Sequence, residues 1–300
     1  MDLHMKIIVD SSVKRIDSFL SGTFPNYSRG YFQKLIKAGK VTINGSAVNA
    51  HQSARPGDEV EFELEASIKQ VAPNDLPLEI IYEDKDILVI NKKPGMVVHP
   101  ACGHYDDTAL NALYAYAAGK FIPFLVHRLD KDTSGILVIA KNEKAKNSLT
   151  KQFEKRAVKK VYLTAVKGNI SENRGRIEAP LGRSPNDRKK IVVGPLAKKN
   201  SVTEFKVMFR NQDYSVLEVY PLTGRTHQIR SHMVYIGHPV LGDVFYGGLQ
   251  QLKEKQYGRQ MLHARRISFT HPSTGKKVEF EATIPDDMKG LYDEPRTFDK

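Results

Sequence analysis

One cysteine, Cys102, stands among 300 residues, and tryptophan is absent. A single thiol excludes an intramolecular disulfide framework and any zinc site built on paired cysteines. No stretch reaches the roughly 18 apolar residues that a membrane-spanning helix needs. The opening MDLHMKIIVD has no apolar core of a secretion signal. The phosphate loop G-x-x-x-x-G-K-[ST], the dinucleotide fingerprint G-x-G-x-x-G and the zinc motif H-E-x-x-H are all missing. So are the zinc-deaminase signature and the nucleophile elbow G-x-S-x-G. HPACGH offers His99, Cys102 and His104 to a metal, but no fourth ligand stands near them in sequence. The chain reads as a soluble, folded protein of a reducing cytoplasm, with no membrane contact, no metal and no cofactor.

What is present is positive charge. The net charge is +12 and hydrophobic residues make up 40% of the chain, enough for a sizeable core. A balance this basic points to a polyanionic partner, most often nucleic acid. Residues 141–200 hold 17 basic and 5 acidic residues, so the whole excess lies in that segment and the rest of the chain cancels. A field of one sign confined in this way suits a binding stripe better than a diffuse solubility device.

Two parts differ in pattern. In residues 13–66, Ile16, Phe19 and Leu20 fall at helical spacing before Gly22, which predicts a helix that stops there. Phe32, Leu35 and Ile36 predict a second helix, which Ser28 can cap and Gly39 can end. Arg29, Lys34 and Lys37 lie on or beside its polar face, and Lys40 leads into two short strands around the hairpin signal Asn44-Gly45. A further strand puts Val60, Phe62 and Leu64 on one face and Glu59, Glu61, Glu63 and Glu65 on the other. Residues 10–55 carry seven basic residues against two aspartates, whereas residues 58–65 carry five acids and no base. One side of such a module can meet phosphates while the other repels them. The run SRGYFQKLIKAGKVTINGSAV…RPGDEVEF resembles the alpha-L RNA-binding module first seen in a small-subunit ribosomal protein. That resemblance makes Arg29, Lys34, Lys37 and Lys40 RNA-contact candidates. The expected division is a module over 1–66, a linker with Pro73 and Pro77 over 67–78, and a catalytic domain over 79–300.

In the larger part, residues 79–92 predict two strands joined by an acidic turn, and residues 107–119 a helix capped by Asp107 or Thr108. ILVIA (136–140) reads as a buried strand, followed by a helix capped at Asn142 with Ala145, Leu149 and Phe153 every four residues. A strand over 158–168 precedes the basic loop GRSPNDRKK, and more strands fall near 202–209, 214–220 and 277–284. Strands and helices mix without regular βαβ alternation, so the fold class is α+β with a mainly antiparallel sheet.

Two dense polar stretches remain. HRLDKDTSG (127–135) sits just before the buried strand, and LTGRTHQIRSHMVYIGHPVLGD (222–243) predicts a short helix that Thr223 or Thr226 can cap and Gly237 and Pro239 end. Within it His227 and Arg230 are three apart and share a face. A carboxylate in a turn before a buried strand is partly desolvated, and a guanidinium nearby keeps such a group ionised and oriented. That arrangement serves attack on a sugar carbon, addition to a pyrimidine ring or proton abstraction. On residue physics alone Asp130 and Asp132 remain alternatives, Asp132 being able to bond its own turn.

HRLDKDTSGILVIAK, INKKPGMVVHP, KKVYLTAVKG and TGRTHQIRSHMVYIGHPVLGD together resemble the RluA-type family of RNA pseudouridine synthases, in family order and over residues 79–270. The module ahead of them resembles the companion of the large-subunit ribosomal RNA branch. The resemblance implies a cofactor-independent isomerase acting as a monomer on structured RNA, ribosomal RNA first and transfer RNA second. It implies Asp130 as the catalytic carboxylate, Tyr162 against the uracil and Arg230 paired with Asp130. Arg128 then enters the RNA beside His127, and Ile229 lines the base pocket. A non-catalytic RNA-binding or ribosome-assembly factor is the alternative from another class.

Overall fold

Asn44 and Gly45 both adopt positive φ, 50° and 75°. The chain reverses there as a tight hairpin requires, and this turn joins β2 (Val41–Ile43) to β3 (Ser46–Ala47). The computed structural model describes residues 3–24, 27, 29–64, 71–101, 103–194, 197–252 and 254–292. The Ser28 cap, Glu65, Cys102 and residues 67–70 of the linker lie outside them. By contacts the chain divides into two units, 1–70 and 71–300.

The first unit adds β1 (Leu3–Ile8), α1 (Ile16–Thr23), α2 (Arg29–Lys37) and β4 (Glu59–Leu64). Its antiparallel sheet runs β1-β4-β2-β3. Val60, Phe62 and Leu64 face the core with Ile16, Leu20 and Phe32, as the alternation predicts. Gly39 ends α2 with φ 72°. Helix α1 continues one residue past Gly22, to Thr23.

The second unit comprises β5 (Glu79–Glu83), β6 (Ile87–Lys92), α3 (Ala109–Ala117), β7 (Phe124–Leu125), β8 (Ser134–Ala140), α4 (Glu143–Glu154), β9 (Lys159–Lys167) and β10 (Arg174–Glu178). There follow β11 (Leu181–Arg183), β12 (Ile191–Val193), β13 (Val202–Arg210), β14 (Tyr214–Pro221) and α5 (Gln228–Tyr235). The last elements are β15 (Gln251–Leu252), β16 (Lys255–Gln256), β17 (Leu262–Thr270), β18 (Lys277–Glu281) and α6 (Asp286–Tyr292). The main sheet runs β10-β13-β14-β9-β17-β8-β6-β5, with β18 on β17 and β7 on β8. Every pair is antiparallel except β17 with β8, whose parallel contact is two residues long: His263 with Ser134 and Ala264 with Gly135. The sheet is therefore two antiparallel halves joined at a short parallel seam. Residues 71–78 are held to this unit, Asn111 Nδ2 donating to the Ala72 carbonyl at 2.7 Å and Asn74 Nδ2 to that of Asp106 at 2.9 Å.

Helices cover both faces, and this explains the unbroken apolar runs of β6 and β8. Leu88, Ile90, Leu137 and Ile139 pack with Ala109 and Leu113 of α3. The alternate residues Ile87, Val89, Ile136 and Val138 pack with Ala145 and Leu149 of α4, which Asn142 caps at 2.8 Å. In the other half Leu217 and Val219 meet Ile229 and Met233 of α5, while Tyr214 and Val216 meet Met288 and Leu291 of α6. Tyr162 packs against the α3 cluster and the α5 cluster alike, so those helices share a face of the sheet and Tyr162 stands between them.

Candidate active site

Asp130 stands in the turn that feeds β8, where the Thr133 N–H donates to its carbonyl at 3.2 Å. Gly135 follows with φ 111°, and a Cβ there would lie 2.3 Å from the Ala264 carbonyl oxygen. The parallel seam thus demands a glycine at that position. Two buried cations hold the turn by its backbone. Lys92 donates to the carbonyls of Lys93 (2.8 Å), Met96 (3.0 Å) and Lys131 (2.9 Å), using all three hydrogens of an ammonium, although burial pulls its pKa down to about 7. Arg259 donates to the Asp132 carbonyl at 3.0 Å and grips Asp287 of α6 with two further bonds, 2.7 and 2.9 Å.

The carboxylate of Asp130 is left to another partner. Arg230 Nη1 donates to Asp130 Oδ2 at 3.0 Å, while Nε and Nη2 clamp Asp243 at 2.6 and 2.9 Å. The Arg230 side chain is 7% exposed and Asp243 1%. Burial pulls the guanidinium pKa down, but Asp243 and Asp130 more than reverse it and the net shift is upward. The Tyr246 ring lies 4.9 Å from the guanidinium carbon. Bidentate binding to Asp243 fixes the plane of Arg230, and that plane fixes where Asp130 Oδ2 can sit. Among the described residues no hydrogen-bond donor reaches Asp130 Oδ1. Asp130 lines a cleft of about 440 Å³ together with Arg128, Tyr162, Ile229, Arg230 and Leu262, among others. Asp132 does not line it, so the two aspartates of HRLDKDTSG occupy different places.

Tyr162 reaches the cleft from β9. Burial and the Asp130 charge raise its phenol pKa, so it enters any reaction as a hydroxyl. His227 sits at φ 51° ahead of α5, its Nδ1 2.9 Å from the Tyr246 hydroxyl and its Nε2 4.0 Å from Asp130 Oδ2. Its pKa is lowered, chiefly by burial. The expected Thr223 or Thr226 cap of this helix is absent. His227 occupies the cap position with no side-chain bond, and Thr223 Oγ1 is engaged by the Val202 N–H (3.0 Å) and Gln228 Oε1 (2.7 Å). The loop GRSPNDRKK proves to be the turn of the β11–β12 hairpin, anchored where the Tyr246 hydroxyl meets both backbone groups of Ile191 at 2.9 and 3.0 Å.

Other sequence candidates are occupied differently. His127 lines the cleft, but its Nε2 accepts the Val138 N–H at 2.8 Å and its ring stacks on Phe153 at 4.9 Å. Burial lowers its pKa to about 3, so it is a neutral scaffold residue and offers no positive charge to RNA. Arg29 Nε is bound at 2.9 Å to the fully buried Asp17, which Arg15 and Gln33 also hold, so its first task is to neutralise that acid. Lys34 and Lys37 are exposed on α2, and Lys40 lies 3.9 Å from Glu63. His104 is 2.6 Å from Asp107 Oδ2 and 3.3 Å from Lys131 Nζ. Among the described residues one group has metal-ligand spacing: Asp84, Asp86 and His271. There His271 Nε2 binds Asp84 at 2.8 Å and Nδ1 accepts the N–H groups of Ser273 and Thr274, so both ring nitrogens are engaged. Lys92, Asp243, Tyr246 and Arg259 escaped the sequence reading because each acts on a partner that sequence spacing does not reveal.

Residues 86–235 match the model of the RNA pseudouridylate synthase family, and residues 14–60 match the S4 domain. The chain is 44% identical over 290 residues to an uncharacterized RNA pseudouridine synthase of Bacillus subtilis, covering 94% of each protein. The chain belongs to the RNA pseudouridine synthase family. It is 42% identical to the ribosomal large subunit pseudouridine synthase D of Neisseria meningitidis serogroup A, covering 92% of this chain and 77% of that one. The structure of human RNA pseudouridylate synthase domain containing 1 superposes with a TM-score of 0.59 and 30% identity over 73% of this chain and 88% of that one. The family isomerises uridine to pseudouridine in RNA, and the mainly antiparallel α+β fold expected from the sequence is the fold of this synthase. No helix among the described residues is long and apolar enough to cross a membrane.

Proposed function

We propose that this synthase modifies specific uridines of large-subunit ribosomal RNA, with Asp130 as its catalytic carboxylate. The observation that carries the assignment is the Asp243–Arg230–Asp130 chain, which holds one oxygen of a carboxylate that lines the same cleft as Tyr162 and leaves the other oxygen without a donor. The ribosomal substrate rests on the names of the curated relatives and on the S4 domain. The cleft volume suits one nucleotide and not a duplex, so the target uridine leaves its stack, at a cost of a few kcal/mol. Arg128, exposed at the cleft, takes up the vacated space in the RNA. Uracil then lies between Tyr162 and Ile229.

The reaction conserves every atom. The bond from N1 to the ribose C1′ breaks, uracil turns, and C5 bonds to C1′. The proton on C5 departs and N1 gains one. No oxidant or phosphate donor is needed, so the isomerisation requires no cofactor; a monomer in the cytoplasm, where the RNA is, completes the proposal. Asp130 Oδ1 is the free basic atom for attack or for proton abstraction, and the Tyr162 hydroxyl is the neighbouring proton carrier. Lys34, Lys37 and Lys40 of the S4 domain, with Arg29, supply phosphate contacts away from the reaction.

RNA tritiated at uracil C5 tests this, because isomerisation releases that tritium. The wild type releases it from large-subunit ribosomal RNA and Asp130→Asn does not, while RNA affinity stays within tenfold. Release from transfer RNA alone overturns the substrate. Turnover by Asp130→Asn overturns the residue.

A further inference from the structure

Lys160 precedes Tyr162 by two positions on β9, so both side chains project from the same face of the sheet, and both line the cleft. Lys160 takes no part in the bond changes of the isomerisation. Its Nζ makes one long bond, 3.4 Å, to the Thr223 carbonyl. The cleft is lined by two carboxylates, Asp130 and Glu154. Asp130 is bound by Arg230, Glu154 is exposed on the last turn of α4, and no ion pair joins either to Lys160 among the described residues. Burial alone acts on the ammonium and lowers its pKa to about 8, with no acidic neighbour to resist the fall. Folding has thus half-buried a cation without supplying its counter-charge, an arrangement that favours the arrival of an anion.

The surroundings suit an anion. Arg156 and Arg225 line the cleft with Lys160. Gly224 lies close by, where a Cβ would stand 3.7 Å from Nζ, an ordinary van der Waals contact. The two β9 positions are ~6.6 Å apart along the strand, a separation that matches a nucleotide with its base at Tyr162 and a phosphate beyond. RNA has no other anionic group. We propose that Lys160 is a substrate-binding residue that takes a backbone phosphate of the flipped nucleotide, so that the cleft holds a phosphate subsite beside its base subsite. This rests on the reading that the cleft receives a flipped uridine. The phosphate contact holds the extruded nucleotide in place while the glycosidic bond is broken and remade.

Steady-state tritium release from a large-subunit ribosomal RNA transcript compares the wild type with Lys160→Met and Lys160→Arg. Lys160→Met raises KM at least tenfold with kcat within about threefold, and Lys160→Arg restores most of the loss. The slope of log kcat/KM against log salt becomes shallower by about 0.7 in Lys160→Met, the value for one contact to a single strand. An unchanged KM, or a fall confined to kcat, overturns the assignment. A second measurement uses wild-type protein alone: an NMR titration with uridine 5′-monophosphate and with uridine. The monophosphate binds at least tenfold more tightly if the subsite exists, and equal affinities overturn it. Since the titration needs no turnover, failure of the subsite and failure of the ribosomal RNA reading are told apart.

Discussion

At the scale of single residues, the site is a chain of charge: one arginine between two aspartates, with a net charge of −1 in a largely dry setting. Asp243 gives Arg230 a fixed plane and Asp130 takes the remaining N–H. Replacing Asp243 with Asn removes one charge of a buried pair, so Asp243→Asn lowers unfolding free energy by about 3–5 kcal/mol in a urea titration. Turnover falls further than RNA affinity, because Arg230 no longer aims Asp130. A second outcome concerns acid. Burial lowers His127 to about 3 and His263 to about 4. Between the ordinary histidine value near 6.5 and those values the unfolded chain binds protons that the folded chain refuses. Stability is therefore lost as pH falls from about 6.5 toward 4, the loss beginning above the range where carboxylates titrate. Thermal melts across that interval decline progressively, and a flat profile contradicts the neutral histidines. The sequence displayed the motif residues, since HRLD, KVY and HQIR are contiguous strings. It concealed Lys92, whose acceptor at Lys131 lies 39 residues away, and Arg259, whose acceptor at Asp132 lies 127 away.

At the scale of elements, local signals were legible where the chain answers to itself. Asn44-Gly45 forms its hairpin, Asn142 caps α4 and Gly39 ends α2, each within a few residues of sequence. They failed where a distant partner intervened. Thr223 reads as a cap but binds across to the Val202 backbone. The basic loop read in GRSPNDRKK does form, residues 184–190 turning the β11–β12 hairpin, but the Tyr246 hydroxyl that anchors it was out of sight. Gly135 carries the clearest prediction at this scale. A methyl group would meet the Ala264 backbone, which cannot move without parting β17 from β8. Gly135→Ala lowers the melting temperature by 10 °C or more and abolishes tritium release, whereas alanine at the open Gly258, which has nothing within 4 Å, shifts it by less than 3 °C.

At the scale of the whole molecule, the division of labour was readable from composition and pattern. An RNA-binding module precedes a mainly antiparallel enzyme domain, and the +12 charge suits a polyanion. The parallel seam was not readable, because two residue pairs leave no periodic trace. Removing residues 1–66 weakens binding to large-subunit ribosomal RNA, the proposed substrate, at least tenfold in filter binding and leaves the remaining unit cooperatively folded; unchanged affinity contradicts the role of the module. The seam has a consequence in time. It joins residues 129 positions apart, and Arg230 meets Asp130 across 100. Contacts so distant in sequence form late in folding. A chain growing on the ribosome carries HRLD long before Arg230 and then β17 emerge, and until then its aspartate lacks first its partner and then its complete cleft. The enzyme therefore becomes chemically competent only once β17 has closed the seam against β8.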